Sequence, residues 1–255
     1  MTQRIQMKSK NLAVLVTGAA KRIGKQTATL LHKNGYNIVV HCNNSTDAAD
    51  LFVQELNTIR PDSAKRVTAD ITNFEELESL AKQAIDAFGR LDMLVNNASS
   101  FYPTKVNDVT ESVWDDLMGT NLKAPFFLIK HLQDELNKNK GNVVNMVDIH
   151  ADRPLKDYPV YCMAKAGLVM LTKSLSRELA PNIRVNGIAP GAILWHENDL
   201  SEQDKQQVLS EIGLARLGSP EDIAEAILYM SKASYVTGQI LAVDGGRSIN
   251  GGSKA

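Results

Sequence analysis

The sequence predicts a single α/β domain, a doubly wound parallel sheet with helices on both faces. Three observations carry that expectation. Short β-branched and apolar runs alternate with amphipathic helical stretches along the chain. The candidate strands are almost continuously apolar, as strands buried on both faces are, rather than alternating. A glycine-bearing turn joins the first strand to the first helix, and no low-complexity linker divides the chain. At 255 residues the sequence suffices for one large domain over 1–255, with about 1–10 and 248–255 expected as flexible tails.

Taken in order, Leu12 to Val16 reads as the first strand, followed by the turn and a helix to about Asn34. Gly35 stands where a helix-ending glycine belongs, and Asn37 to His41 is the second strand. Thr72 and Glu75 have capping-box spacing ahead of Phe74, Leu77, Leu80, Ala84, Ile85 and Phe88, which share one helical face. Gly89 ends that helix, and Leu91 to Val95 is the next strand. Further strands are expected at Asn142 to Val147, Ile183 to Ile188 and Gln239 to Val243, with helices near 111–138, 159–180 and 220–231. Pro220 suits a first helical turn after Ser219. Sheets of this kind bind ligands beyond the C-terminal ends of their strands.

Composition excludes several classes. Hydrophobic residues make up 44% of the chain and charged residues 22%, as in ordinary globular proteins. A net charge of −1 gives no long-range pull toward nucleic acid or an anionic membrane, so neither is expected as a partner. No apolar run approaches the roughly 20 residues that span a bilayer. The stretch Leu12 to Val16 is too short for a signal-peptide core, which predicts a cytoplasmic protein. Cys42 and Cys162 have neither CxxC nor Cys/His spacing, so reduced cysteines and no structural metal are expected.

The segment Thr17-Gly18-Ala19-Ala20-Lys21-Arg22-Ile23-Gly24 opens the first helix. Glycines there permit a tight turn and close approach of a pyrophosphate, and the helix N-terminus offers N–H groups and a positive dipole. Alone this is a weak signal; its place after the first strand, and the lack of a GK[ST] triplet, favour a dinucleotide. After the second strand come Cys42-Asn43-Asn44-Ser45, with no acid until Asp47. A carboxylate would hold a ribose 2′-hydroxyl, whereas Asn44, Ser45 and Arg22 can accept a 2′-phosphate, so the expected cofactor is NADPH. Tyr161 and Lys165 lie at i and i+4, on one helical face. A free phenol titrates near about 10, and a neighbouring ammonium is what stabilises its phenolate. Such a pair also arises by chance on helix surfaces; its position downstream of the glycine turn makes it a candidate proton-transfer pair.

With these residues assembled, the sequence resembles the short-chain dehydrogenase/reductase family over essentially its whole length. The matching features are Thr17-Gly18 to Gly24, Asp70-Ile71, Asn96-Asn97-Ala98, Asn121, Tyr161 with Lys165, Arg184-Val-Asn186, Pro190-Gly191 and Asp244-Gly-Gly246. The resemblance implies a Rossmann-type reductase and a homotetramer whose residues Arg247 to Ala255 reach toward a neighbour's site. It implies catalytic roles for Tyr161 and Lys165, and an Asn121 that bends a helix and holds a water in a relay to Lys165. Asp70 is implied near the adenine and Pro190-Gly191 near the nicotinamide. Gly18, Ile23, Asn97, Ala98, Met146 and Ile193 join the implied cofactor contacts.

Two departures narrow the reading. Arg22 replaces the family's middle glycine, and Asp148 replaces its usual serine thirteen residues before the tyrosine. An ionised Asp would repel the oxyanion of a reacting ketone, but it can bind and protonate ring nitrogens. With Asn97-Ala-Ser-Ser-Phe-Tyr-Pro103 and Asn145-Met-Val-Asp148, the chain looks like the pteridine reductase branch. That likeness implies a pterin or folate substrate stacked on Phe101 and touched by Arg22, Ser99, Asp148 and Tyr161. Ser99 would also contact the cofactor. The rivals are a carbonyl reductase of the same family, acting for example on a 3-oxoacyl substrate, and an NADP-binding regulatory protein without turnover. Residues 192–213 are expected to form a substrate lid, with Ile193, Leu194 and Trp195 as candidate covers and His196 as a weak substrate contact. His32, His131 and His150 are read as surface or structural residues.

Overall fold

The computed structural model describes residues 12–194 and 201–250. Seven strands form one sheet in the order β3-β2-β1-β4-β5-β6-β7, and every pairing is parallel. They are β1 (Ala13–Val16), β2 (Asn37–Cys42), β3 (Ala64–Thr68), β4 (Met93–Asn96), β5 (Asn142–Met146), β6 (Arg184–Pro190) and β7 (Ile240–Val243). The helices are α1 (Arg22–Lys33), α2 (Thr46–Ile59), α3 (Phe74–Asp86), α4 (Glu111–Met118), α5 (Ala124–Asn139), α6 (Pro159–Glu178), α7 (Glu202–Ser210) and α8 (Pro220–Lys232). This is the predicted doubly wound fold.

The central strands β1, β2, β4 and β5 are wholly buried, which is why their sequences carry no polar alternation. Each strand sends alternate residues to opposite faces. Leu15, Val39, Leu94 and Val143 pack on one face with Leu77 and Leu80 of α3 and Leu128 and Leu132 of α5. Val14, Val16, Ile38 and Val40 pack on the other with Leu31 of α1, Phe52 of α2 and Ile223 and Ile227 of α8. Among the described residues no helix is long and apolar enough to cross a membrane.

Several expectations shift. The β3 strand and α2, unread in the sequence, fill the span from 46 to 68. Here β3 is an edge strand that exposes Lys65, Arg66 and Thr68, so it lacks an apolar run. Thr72 does not cap α3; Asn73 does, accepting from the Glu75 amide, while Thr72 donates to Asp70. The helix expected over 111–138 is interrupted by a wide π-turn at Gly119–Lys123. The lid region contains α7, capped by Ser201, while Trp195 and His196 lie outside the described residues. Residues 248–250, expected to be loose, close a turn in which Asp244 accepts from the Ser248 amide; 251–255 and 1–11 lie outside the described residues. Ser219 and Asp222 form a capping box that encloses Pro220, and Gly35 takes the left-handed conformation (φ +91°) that ends α1.

Candidate active site

The predicted site residues come from the C-terminal ends of β1 to β6 and the segments after them, the start of α1, the π-turn at Gly119–Lys123 and α6. Beyond β1 to β4 opens a cleft of about 360 Å³ whose walls include Gly18, His41, Asn43, Asp70, Asn97 and Ser99. Gly18 adopts φ +62°, so a side chain there would be strained. A Cβ on Gly24 would lie 2.3 Å from the Gly18 carbonyl oxygen, so only glycine lets α1 pack against its own turn. The Asn97 amide group donates to the carbonyls of Thr17 (2.8 Å) and Gly18 (3.1 Å), and the Thr17 hydroxyl accepts from the Asn97 and Ala98 amides at 2.9 Å. The turn is thereby tied to the loop after β4.

The α1 helix has no side-chain cap and no acid in its first turn. The α3, α4, α7 and α8 helices are all capped, by Asn73, Thr110, Ser201 and Ser219. The α2 and α6 helices lack a side-chain cap too, but at the start of α1 the free donors adjoin the glycine turn, where they can meet an anionic ligand. Arg22 is exposed at the start of α1 with φ +53°, in the left-handed region that favours glycine. Ile23 is half-buried beside it. At the end of β2, Asn44 is exposed and Ser45 is the N-cap residue of α2, yet its hydroxyl makes no capping bond. Asp70 accepts from the Thr72 amide and hydroxyl at the cleft wall. The residues present therefore fit a dinucleotide.

The second group gathers around Tyr161, which is buried. Its hydroxyl donates to Asp148 Oδ2 at 2.7 Å, and Asp148 Oδ1 accepts from the His150 amide at 2.8 Å. Burial, then the Asp148 charge and hydrogen bond, hold the phenol well above its ordinary range; a hydrogen bond with Ser99 pulls the other way. The Lys165 ammonium is enclosed, donates to the Met146 carbonyl at 2.8 Å and lies 5.5 Å from the Tyr161 ring centre. Burial brings it down to about 8, against the pull of Asp148. Asn121 sits in the π-turn, where its amide donates to Leu117 O and Ser100 O and its oxygen accepts from the Ser99 hydroxyl at 2.6 Å. The side chain thus satisfies a carbonyl that the widened turn releases.

Phe101 lies against Tyr161 edge-on (4.7 Å between ring centres) and stacks on Tyr158 at 4.6 Å. Tyr158 was missed in the sequence; its position three residues before Tyr161 was the available sign. Pro190 ends β6, and Gly191 donates to Val243 O at 3.0 Å, so close to Asp244 that a Cβ would meet its Cα at 2.7 Å. Ile193 is buried in the core on the α1 and α8 side, a Cβ's reach from Gly218. His41 was also missed. It is buried between the glycine turn and the exit of β3, and a histidine inside an apolar strand was its signal. His32 is a core residue bonded to Ser63 Oγ at 2.6 Å. Cys42 and Cys162 are free thiols, and among the described residues no cluster could hold a metal.

The chain as a whole is similar to known proteins. Residues 18–248 match the family model described as enoyl-(acyl carrier protein) reductase. A 3-oxoacyl-[acyl-carrier-protein] reductase of Staphylococcus aureus is 36% identical over 239 residues, covering 92% of this chain and 97% of that one. Pteridine reductase 1 of Leishmania tarentolae is 38% identical over 277 aligned positions, covering 92% and 96%. The (2S)-[(R)-hydroxy(phenyl)methyl]succinyl-CoA dehydrogenase subunit BbsD of Thauera aromatica is 37% identical over 251, covering 95% and 98%. With a family match across nearly the whole chain and relatives 36–38% identical over more than nine-tenths of it, the protein is an oxidoreductase that belongs to the short-chain dehydrogenase/reductase family.

Proposed function

We propose that this oxidoreductase is an NADPH-dependent pteridine reductase, taking dihydropterins of the biopterin or monapterin kind, and dihydrofolate, to their tetrahydro forms. The carrying observation is the 2.7 Å hydrogen bond between Tyr161 and Asp148. A carboxylate beside the proton donor would oppose a developing oxyanion, whereas it accepts readily from the N–H groups of a heterocycle.

When bound, the cofactor supplies hydride to a ring carbon of a C=N bond. The chain's own residues handle the proton. Tyr161, held protonated through the neutral range, is an acid that can give its proton to the ring nitrogen as that nitrogen gains the electron pair. The Lys165 ammonium offsets the phenolate left behind, which Asp148 by itself would disfavour. Asp148 can hold or relay a proton, and Phe101 beside Tyr161 gives a flat ring an aromatic wall. Ser99 and Asn121 extend the hydrogen-bonded chain away from the phenol. The choice of NADPH is supported by the lack of an acid at the end of β2, by the Ser45 hydroxyl there, which makes no capping bond, and by an exposed cation, Arg22, at the start of α1. The exposed Phe126, Met163 and Met170 on α5 and α6 would suit a homotetramer.

The likeness to the 3-oxoacyl-[acyl-carrier-protein] reductase keeps a ketone substrate as the second reading. The test follows NADPH oxidation with 7,8-dihydrobiopterin, dihydrofolate and an acetoacetyl thioester. Turnover of a dihydropterin is expected. Turnover of the thioester with silence toward every pterin would overturn the proposal, and binding of NADPH without any turnover would favour a regulatory protein.

A further inference from the structure

His41 sits among three consecutive strand ends and is only 2% exposed. Its Nδ1 lies 3.2 Å from the Gly18 amide nitrogen, and its Nε2 lies 3.1 Å from the Ala69 carbonyl oxygen. The carbonyl can only accept, so Nε2 carries the proton; the amide can only donate, so Nδ1 is bare. Only the neutral ring, in that one tautomer, satisfies both partners. Burial favours the same form, pulling the imidazole down to about 4. The backbone of the residue adds another tie, its carbonyl accepting from the Ala19 amide at 2.9 Å.

Gly18 and Asp70 lie on opposite sides of this ring, and both line the same cleft. With the Gly18 amide committed to His41, the turn's remaining donors, at the uncapped start of α1, are the ones left for phosphate. A leucine could fill the same space. It would leave a partly buried amide and a buried carbonyl without the partner they now share.

We infer that His41 is a positioning residue for the dinucleotide: its neutral ring locks the glycine turn to the loop after β3, fixing the two walls of the cleft before the ligand arrives. The inference rests on the cofactor part of the reading above and is independent of the substrate.

Two variants separate positioning from packing. In His41→Asn the side-chain oxygen stands where Nδ1 stood and can hold the Gly18 amide; His41→Leu fills space alone. The measurements are the NADPH dissociation constant by nicotinamide fluorescence, the thermal midpoint of the ligand-free protein, and the KM for NADPH against kcat. His41→Leu should weaken NADPH binding about tenfold and raise KM alike, with kcat at saturating NADPH changed less than about twofold. His41→Asn should recover most of the affinity. Equal affinities of folded His41→Leu and wild type, or of His41→Leu and His41→Asn, would overturn the inference. Should His41→Leu not fold, His41→Gln replaces it, since its amide reaches toward Ala69 but not Gly18; affinity equal to that of His41→Asn is then the contrary result. Wild type binding neither NADPH nor NADH would overturn the cofactor reading itself.

Discussion

The two sides of the cleft are made of different material. Beyond β1 and β2 the site is largely backbone: a left-handed Gly18, a Gly24 with no room for a Cβ, an uncapped α1 and one neutral histidine. Beyond β5 and along α6 it is side chains: a carboxylate and an ammonium bonded to main-chain partners, and a phenol bonded to the carboxylate. The first side should fail when bulk is added and the second when a single functional group is removed. Shape governs binding on one side, and proton chemistry governs turnover on the other.

The largest expected effect lies on the side-chain side. Tyr161→Phe removes the acid and little volume, so kcat should fall by about 10²–10⁴ while the NADPH dissociation constant stays within about threefold. Parallel losses in both, measured by steady-state kinetics and fluorescence titration, would erase the contrast between the two sides. On the backbone side, Gly24→Ala sets a Cβ 2.3 Å from Gly18 O and 2.7 Å from Asn97 Nδ2. Affinity for NADPH should drop at least about tenfold, and denaturant unfolding should show a loss of about 1–3 kcal/mol.

The backbone side was the more legible in the sequence, because glycine spacing is dictated by sterics that any reader can apply. The Tyr161–Lys165 pair was visible for a similar reason, since helical periodicity brings i and i+4 together. What escaped reading depends on contacts distant in sequence. His41 acts through Gly18 and Ala69, 23 and 28 residues away, and Tyr158 matters only because the chain folds Phe101 onto it. The edge strand β3 was hidden because Lys65 and Arg66 face outward. The π-turn at Asn121 interrupts a stretch whose apolar spacing reads as one helix, since it is stabilised by the Asn121 side chain rather than by propensity.

A smaller effect concerns pH. Lys165 titrates at about 8 in the fold and at 10.5 when free. Below about 8 it is charged in both states. Between about 8 and 10.5 the unfolded chain holds the additional proton, so this residue's contribution to stability rises with pH across that window. Activity should move oppositely, because a neutral amine no longer offsets a Tyr161 phenolate, and kcat should decline as pH passes about 8. Lys165→Arg, which stays charged, should shift that decline upward and remove the gain in stability. A pH–rate profile flat to pH 10 would contradict the assigned role of Lys165.

The most direct test of the central claim is the ratio of kcat/KM for 7,8-dihydrobiopterin to that for an acetoacetyl thioester, in wild type and in Asp148→Ser. If the carboxylate bonded to Tyr161 selects a nitrogen heterocycle, wild type should favour the pterin and the variant should lower the ratio by about 10²-fold, losing pterin turnover and gaining ketone turnover. A ratio unchanged by the substitution, or a wild type that already prefers the thioester, would contradict it.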